Sequence, residues 1–268
     1  MQANRIKLAE TLVGDHYVVE ETHGPYIRVT SSQENHVEDG LKFWWQRTSP
    51  EEISARSKET ADQGTILHGY FVGILKGEVV DVQEEWAKVP CENFQKFVLK
   101  HKVKAKLVEK KYVSNALGLG GTVDFIGTFE DKPMIIDWKS GGVYLSYAVQ
   151  LAIYMAIHHE KSGELIPDLA VVQVNRDGSE PEMHPITKPL AALRAGLCTF
   201  ERWKFDNAKK LDWLLAPEDV LAARAKTKMA KRIAFEEANW KPEYQWPWVN
   251  RDSLVWLHTF INKLEGEK

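Results

Sequence analysis

One stretch, residues 121–154, constrains the fold of this chain more than any other. It contains two apolar runs, TVDFIGTF and MIID, separated by the polar turn EDKP. Each run carries one acid, Asp124 or Asp137, and Lys139 follows two residues after the second acid. Side chains alternate along a strand, so Asp137 and Lys139 are expected on one face and Trp138 on the other. Because a buried carboxylate needs compensating positive charge, the pattern favours a metal site over a buried Asp–Lys ion pair.

These residues resemble the core motif of the PD-(D/E)XK nuclease superfamily, which has an Asp on one strand and (D/E)-x-K on the next. Three further segments resemble its RecB-like exonuclease branch. GTILH ends in His68, and Gln150 with Tyr154 matches Q-x-x-x-Y on the following helix. Residues 26–47, YIRVTSSQENHVEDGLKFWWQR, are similar to the opening of phage-type exonucleases and of the mitochondrial genome maintenance exonuclease.

The resemblance implies an α/β fold of the restriction-endonuclease type, with a central mixed β-sheet flanked by helices. We expect a single nuclease domain over residues 1–268, with a core at about 60–187, an N-terminal elaboration at 1–59 and a helical C-terminal lobe at 188–268. Residue patterns place individual elements. Ser49 before Pro50 predicts a helix to about Leu75 with a possible break near Gly64, and Asn93 begins an amphipathic segment that keeps helical spacing to Ala105. A further helix is predicted at about 146–159, a hairpin around RDGS, and a long helix from about Lys188 to Leu215.

The same resemblance implies a ligand set for one or two Mg²⁺ or Mn²⁺ ions. Asp124, Asp137 and the backbone carbonyl of Trp138 are its expected ligands, joined by His68, for which packing is the alternative. Glu109 shares a predicted strand face with Leu107 and Val113 and is either a further ligand or an ordinary exposed strand residue. Lys139 would orient the attacking water or help to deprotonate it, and would stabilise developing negative charge.

Two other groups of residues have competing interpretations. Gln150 and Tyr154 lie four apart on one helix face, where they contact the active-site lysine or a substrate phosphate. The alternative is that Tyr154 belongs to the core and Gln150 satisfies a local hydrogen bond. Four cations, Lys100, Lys104, Arg224 and Lys228, are predicted to bind a phosphate backbone or else to form solvated faces.

Composition excludes several classes of protein. The formal charge is −3, and no apolar run is long enough to cross a bilayer. Two distant cysteines cannot hold a four-cysteine iron–sulfur cluster and suit a reducing cytoplasm, bacterial or phage-infected. There is no G-x-x-x-x-G-K-[ST] loop, so no ATP use is predicted.

The sequence therefore predicts a metal-dependent DNA exonuclease acting on single-stranded or frayed ends in recombination, repair or replication. DNA is the expected partner, and a recombination or replication protein is a candidate one. The alternatives are a structure-selective endonuclease on the same core and a catalytically silent nucleic-acid-binding module.

Overall fold

Strands and helices follow each other along the chain in the computed structural model, which describes residues 17–18, 26–33, 44, 46–207, 220 and 223. The helices within these residues are α1 (Val29–Ser32), α2 (Pro50–Leu75), α3 (Glu85–Lys100), α4 (Leu145–Ser162) and α5 (Pro189–Asp206). The strands are β1 (Tyr17–Val18), β2 (Tyr26–Arg28), β3 (Lys104–Ser114), β4 (Leu119–Phe129), β5 (Lys132–Lys139), β6 (Leu169–Gln173) and β7 (Glu182–Pro185).

The chain divides into two compact units. Residues 36–110 and 122–196 belong to the larger one, and residues 1–35, 111–121 and 197–268 to the smaller one. In the smaller unit β1 pairs antiparallel with β2, and β2 pairs in parallel with the start of β4, where Ile27 lies opposite Leu119. The prediction of a single domain with an N-terminal elaboration and a C-terminal lobe stays a prediction.

The larger unit contains a mixed sheet in the order β3-β4-β5-β6-β7. Strands β4 and β5 are antiparallel, and the turn between them uses Glu130 and Asp131, both with positive φ, 50° and 64°. Such a pair of left-handed residues matches the twist of the two strands. Strand β6 lies parallel to β5 after the crossover helix α4, and β7 returns antiparallel. The predicted α/β architecture with a mixed central sheet flanked by helices is confirmed.

Helices cover both faces of this sheet. Phe71 of α2 and Phe94 of α3 pack with ring centroids 4.1 Å apart, and Phe94 meets the buried Trp138 of β5 edge-on at 4.9 Å. Alternation along β5 turns Asp137 to the other face, where Gln150 of α4 contacts it. The site residues therefore lie between the sheet and α4, beside the C-terminal half of α2.

The helix boundaries confirm some predictions and correct others. Ser49 caps α2 by accepting a hydrogen bond from the Glu52 amide at 3.2 Å, and α2 continues through Gly64 without a break. Helix α3 begins at Glu85, well before Asn93, and it ends at Lys100.

The predicted helical continuation of α3 to Ala105 is wrong. Lys102 adopts a left-handed conformation, φ 49°, and β3 begins at Lys104. The alternating pattern KVKAKLV, with a period of two, was the overlooked strand signal. Residues 208–215 of the last predicted long helix lie outside the described residues. None of the described helices is both long and apolar enough to cross a membrane.

Candidate active site

The paired strands β4 and β5 bring the two core acids together. Phe125 lies opposite Ile136, so Asp124 and Asp137 occupy the next position on each strand. The Trp138 amide donates a hydrogen bond to Asp124 Oδ2 at 3.1 Å. The backbone of one strand therefore holds the acid of the other.

The buried carboxylate of Asp137 and the partly buried ammonium group of Lys139 form an ion pair. Lys139 Nζ lies 2.7 Å from Asp137 Oδ2, and Asp137 is only 2% exposed. The other carboxylate oxygen, Oδ1, accepts a long hydrogen bond of 3.4 Å from Gln150 Nε2. Lys139 also lies 4.8 Å from the centroid of the Tyr147 ring, a cation–π distance. These contacts fix the ammonium group in one place.

His68 reaches the two strands from α2. Its Nδ1 lies 3.6 Å from Glu109 Oε1 and 3.7 Å from Asp124 Oδ2. Its Nε2 lies 2.7 Å from the Trp138 carbonyl oxygen, which can only accept, so Nε2 carries the proton of this hydrogen bond. In the neutral ring Nδ1 then presents a lone pair to the two carboxylates. The Trp138 carbonyl thus has His68 as one partner, and its role as a metal ligand stays a prediction.

Glu109 faces the site because its backbone conformation is irregular, and not because of regular strand alternation. Its φ is +50°, a left-handed conformation in the middle of β3. Residues 109–111 are exposed and residues 112–114 buried, so the two-residue period is interrupted here. A left-handed non-glycine residue costs about 1–2 kcal/mol. The strained residue is the one whose carboxylate points toward His68. Backbone strain of this kind is common at functional sites.

Three donor groups converge closely enough to hold a cation. One ligand atom each from His68, Glu109 and Asp124 lies within 4.8 Å of the others. Burial, then repulsion from Asp137, raises the pKa of Asp124 to about 7. A buried carboxylate with so high a pKa has too little positive charge around it, and a bound cation would supply that charge. Carboxylate oxygens with one imidazole suit Mn²⁺ and are compatible with Mg²⁺, so the residues present fit the implied metal.

The neighbouring ionisable groups respond to the same carboxylates. Burial lowers the pKa of Lys139, but Asp137 and Asp124 outweigh it, so its pKa is raised and the group stays charged. Burial likewise opposes protonation of His68, but Glu109 and Asp124 raise its pKa above the usual value. Burial raises the pKa of Tyr154, and nearby carboxylates raise it further, so its hydroxyl stays neutral.

The site opens into a cavity of about 610 Å³. Several of its lining residues carry no motif in the sequence: Ser140, Gly141, Gly142, Tyr144, Tyr147 and Arg176. Tyr147 precedes Gln150 by three on α4, and this shared helix face was a usable signal. Arg176 lies in the β6–β7 loop, far from the site in sequence, and no local pattern indicated it.

The predicted phosphate-binding lysines lie elsewhere. Lys100 is exposed and sits 3.6 Å from Glu180, and Lys104 is exposed and sits 3.0 Å from Asp131. Neither lines the cavity. Arg224 and Lys228 lie outside the described residues, and the nucleic-acid role of all four stays a prediction.

Comparison with known proteins identifies the family. The model of the PD-(D/E)XK nuclease superfamily matches residues 16–242. A search of curated proteins gave no significant match. One similar solved structure, that of SSO0001, shares 16% sequence identity, covering 75% of this chain and 85% of that chain, with a TM-score of 0.32, which is too low to support an argument. The family match covers most of the chain, and the chain belongs to the PD-(D/E)XK nuclease superfamily.

Proposed function

We propose that this nuclease is a divalent-metal-dependent DNA exonuclease that acts on single-stranded or frayed ends. The observation that carries the hydrolytic part is the convergence of three donor groups beside the Asp137–Lys139 ion pair, at the wall of one cavity. The end preference and the RecB-like assignment are supported by sequence resemblance: the GTILH histidine, the Q-x-x-x-Y pair and the segment 26–47.

His68, Glu109, Asp124 and Asp137 would hold the metal. A hard divalent cation bound there activates water and neutralises charge on the phosphate. Asp137 belongs to this set through its strand position beside Asp124, although its Oδ2 is paired with Lys139. The hydrogen bond from His68 Nε2 to Trp138 orients the ring, so that Nδ1 faces the carboxylates.

Lys139 is the group that acts on the reacting atoms. Its raised pKa keeps it an ammonium ion, so it stabilises developing negative charge and orients the attacking water through its N–H groups. To act as a general base, Lys139 would have to lose its proton. The negative charge of Asp137 and Asp124 beside it opposes that loss.

Gln150 and Tyr154 act as positioning residues. Gln150 donates a hydrogen bond to Asp137 Oδ1, and Asp137 Oδ2 is then left to pair with Lys139. Tyr154 is 3% exposed, so it supports the site from within the core rather than contacting DNA. Such an enzyme would process DNA in recombination, repair or replication, in the cytoplasm of a bacterial or phage-infected cell.

One assay separates this proposal from its rivals. End-labelled linear single- and double-stranded DNA, circular single-stranded DNA of the same sequence and the matching RNA are incubated with Mg²⁺, Mn²⁺ or EDTA. Asp137→Asn serves as the inactive control. Loss of linear DNA beside intact circles supports the proposal. Cut circles establish an endonuclease, preferred degradation of RNA refutes the DNA assignment, and no cleavage by the wild type with either metal leaves a silent binding module.

A further inference from the structure

Arg176 is a cation at the cavity wall that no motif assigns. It lies in the loop between β6 and β7 and is partly buried. The other cation lining the cavity, Lys139, is paired with Asp137 at 2.7 Å. Within the described part of the chain, Arg176 has no carboxylate in ion-pair range. Its guanidinium is therefore the uncompensated positive charge of the cavity.

Neutral acceptors hold this guanidinium. Nη1 donates to Gln63 Oε1, and Nη2 donates to Ser140 Oγ at 3.1 Å and more weakly to the Thr60 carbonyl at 3.4 Å. Nε–H is buried without a partner. Amide, hydroxyl and carbonyl groups orient an arginine but do not neutralise it. The guanidinium group of Arg176 thus keeps its full positive charge and one Nη1 hydrogen that is not hydrogen-bonded. A phosphate group, which is anionic and accepts hydrogen bonds, complements both.

The position of Arg176 relates it to the reacting centre. Ser140, one of its partners, directly follows Lys139. Thr60, Gly64 and His68 are spaced four apart and line the cavity along one face of α2. Eight residues of helix rise about 12 Å, so Arg176, which contacts α2 at Thr60 and Gln63, meets the cavity at a different point from His68.

We propose that Arg176 binds a backbone phosphate next to the scissile one and so sets the path of the DNA strand into the site. The binding is electrostatic and independent of base identity, since phosphate contacts fix register without reading sequence. This inference rests on the proposed function, because its ligand is the DNA substrate. The competing role for Arg176 is a purely structural clamp between α2 and Ser140.

The test compares Arg176→Gln with Arg176→Lys and with Arg56→Gln as matched control. Arg56 lies one turn before Thr60 on the same helix, is exposed, is paired with Glu52 at 2.7 Å and does not line the cavity. Binding of labelled linear single-stranded DNA is measured by anisotropy in EDTA over a range of salt, and single-turnover cleavage is measured in Mg²⁺. A parallel series of oligonucleotides carries one neutral methylphosphonate at successive positions from each end.

If Arg176 binds phosphate, Arg176→Gln loses about tenfold in affinity and about 0.7 of a unit of salt slope, the value for one phosphate contact on single-stranded DNA. At one position the methylphosphonate weakens the wild type by a similar factor but leaves Arg176→Gln unchanged. Arg176→Lys retains most of the salt slope, and Arg56→Gln behaves as wild type.

Additive losses at every methylphosphonate position, or an unchanged salt slope, overturn the inference and leave Arg176 as a structural clamp. Melting temperatures identify a variant that fails to fold. If Arg176→Gln does not fold, the comparison of Arg176→Lys with wild type across the methylphosphonate series decides whether Arg176 binds phosphate. If the wild type cleaves DNA and Arg176→Gln matches it in both affinity and cleavage rate, this inference alone is refuted. A wild type that never cleaves DNA refutes the proposed function instead.

Discussion

Asp124→Asn should stabilise the metal-free protein at neutral pH, although it removes a proposed ligand. Burial and the charge of Asp137 raise the pKa of Asp124 from 3.8 to about 7. A raised carboxyl pKa means that the folded state binds the proton more tightly than the unfolded state does. Its contribution to stability is therefore complete below pH 3.8 and is lost as the pH rises through about 7.

The size of this loss follows from the two pKa values. At about 1.4 kcal/mol for each pKa unit, the ionised carboxylate costs the folded protein about 4 kcal/mol above pH 7. Protonation of His68, whose pKa is raised partly by Asp124, offsets some of it, so the figure is an upper limit. The Asn side chain keeps an oxygen to accept the hydrogen bond from the Trp138 amide and carries no charge.

Urea unfolding in EDTA between pH 4 and pH 8 measures the effect. The free energy of unfolding of Asp124→Asn should rise relative to wild type by up to about 4 kcal/mol across this range. Asp131→Asn is the matched control: Asp131 is exposed, has φ 64°, which Asn tolerates well, and Lys104 lowers its pKa. A wild type and Asp124→Asn with parallel stability curves would refute the reasoning.

Saturating Mn²⁺ should remove most of this difference in stability. Binding to the folded wild type adds about 2.7 kcal/mol at one hundred times the dissociation constant, and Asp124→Asn gains little. An equal gain in melting temperature for both proteins would place the cation elsewhere.

Three further predictions concern other parts of the structure. Lys139→Ala should lower single-turnover cleavage by about 100-fold or more while affinity for DNA in EDTA changes little, because its role is in the transition state; equal losses in both would contradict that role. Gly127→Ala should cost about 3 kcal/mol or more in urea unfolding, since the added Cβ would lie 2.1 Å from the Lys104 carbonyl oxygen, and wild-type stability would disprove that close approach. Lys100→Glu combined with Lys104→Glu should flatten the salt dependence of DNA binding if these lysines meet phosphate, and an unchanged slope returns them to a solvated face.

Local rules of the sequence accounted for the centre of the site. Alternation in MIIDWK placed Asp137 and Lys139 on one face, where they form an ion pair, and turned Trp138 into the core. The short turn after Phe129 set the β4–β5 register and so put Asp124 beside Asp137. These features depend on a few neighbouring residues, which is why a sequence alone predicts them.

Other features depend on backbone conformation or distant contacts. Strand alternation leaves Glu109 either facing the site or exposed, and it reaches the site through a left-handed conformation that no sequence signal indicates. Arg176 meets Gln63, more than one hundred residues away, and the loop sequence RDGS gave only a turn. The sequence predicts a helix through Lys102 and Lys104 because their apolar neighbours fit both periods. In the structure α3 ends at Lys100, and the left-handed backbone of Lys102 leads into β3.

Isothermal titration of Mn²⁺ into wild type, Asp124→Asn and Glu109→Gln, at pH 8 and without DNA, tests the central claim most directly. At this pH Asp124 is ionised, since its pKa is about 7. We predict Mn²⁺ binding by the wild type, no binding to this site in Asp124→Asn and weakened binding in Glu109→Gln. A wild type that takes up no Mn²⁺, or an Asp124→Asn variant that binds it as tightly as wild type, would contradict the account.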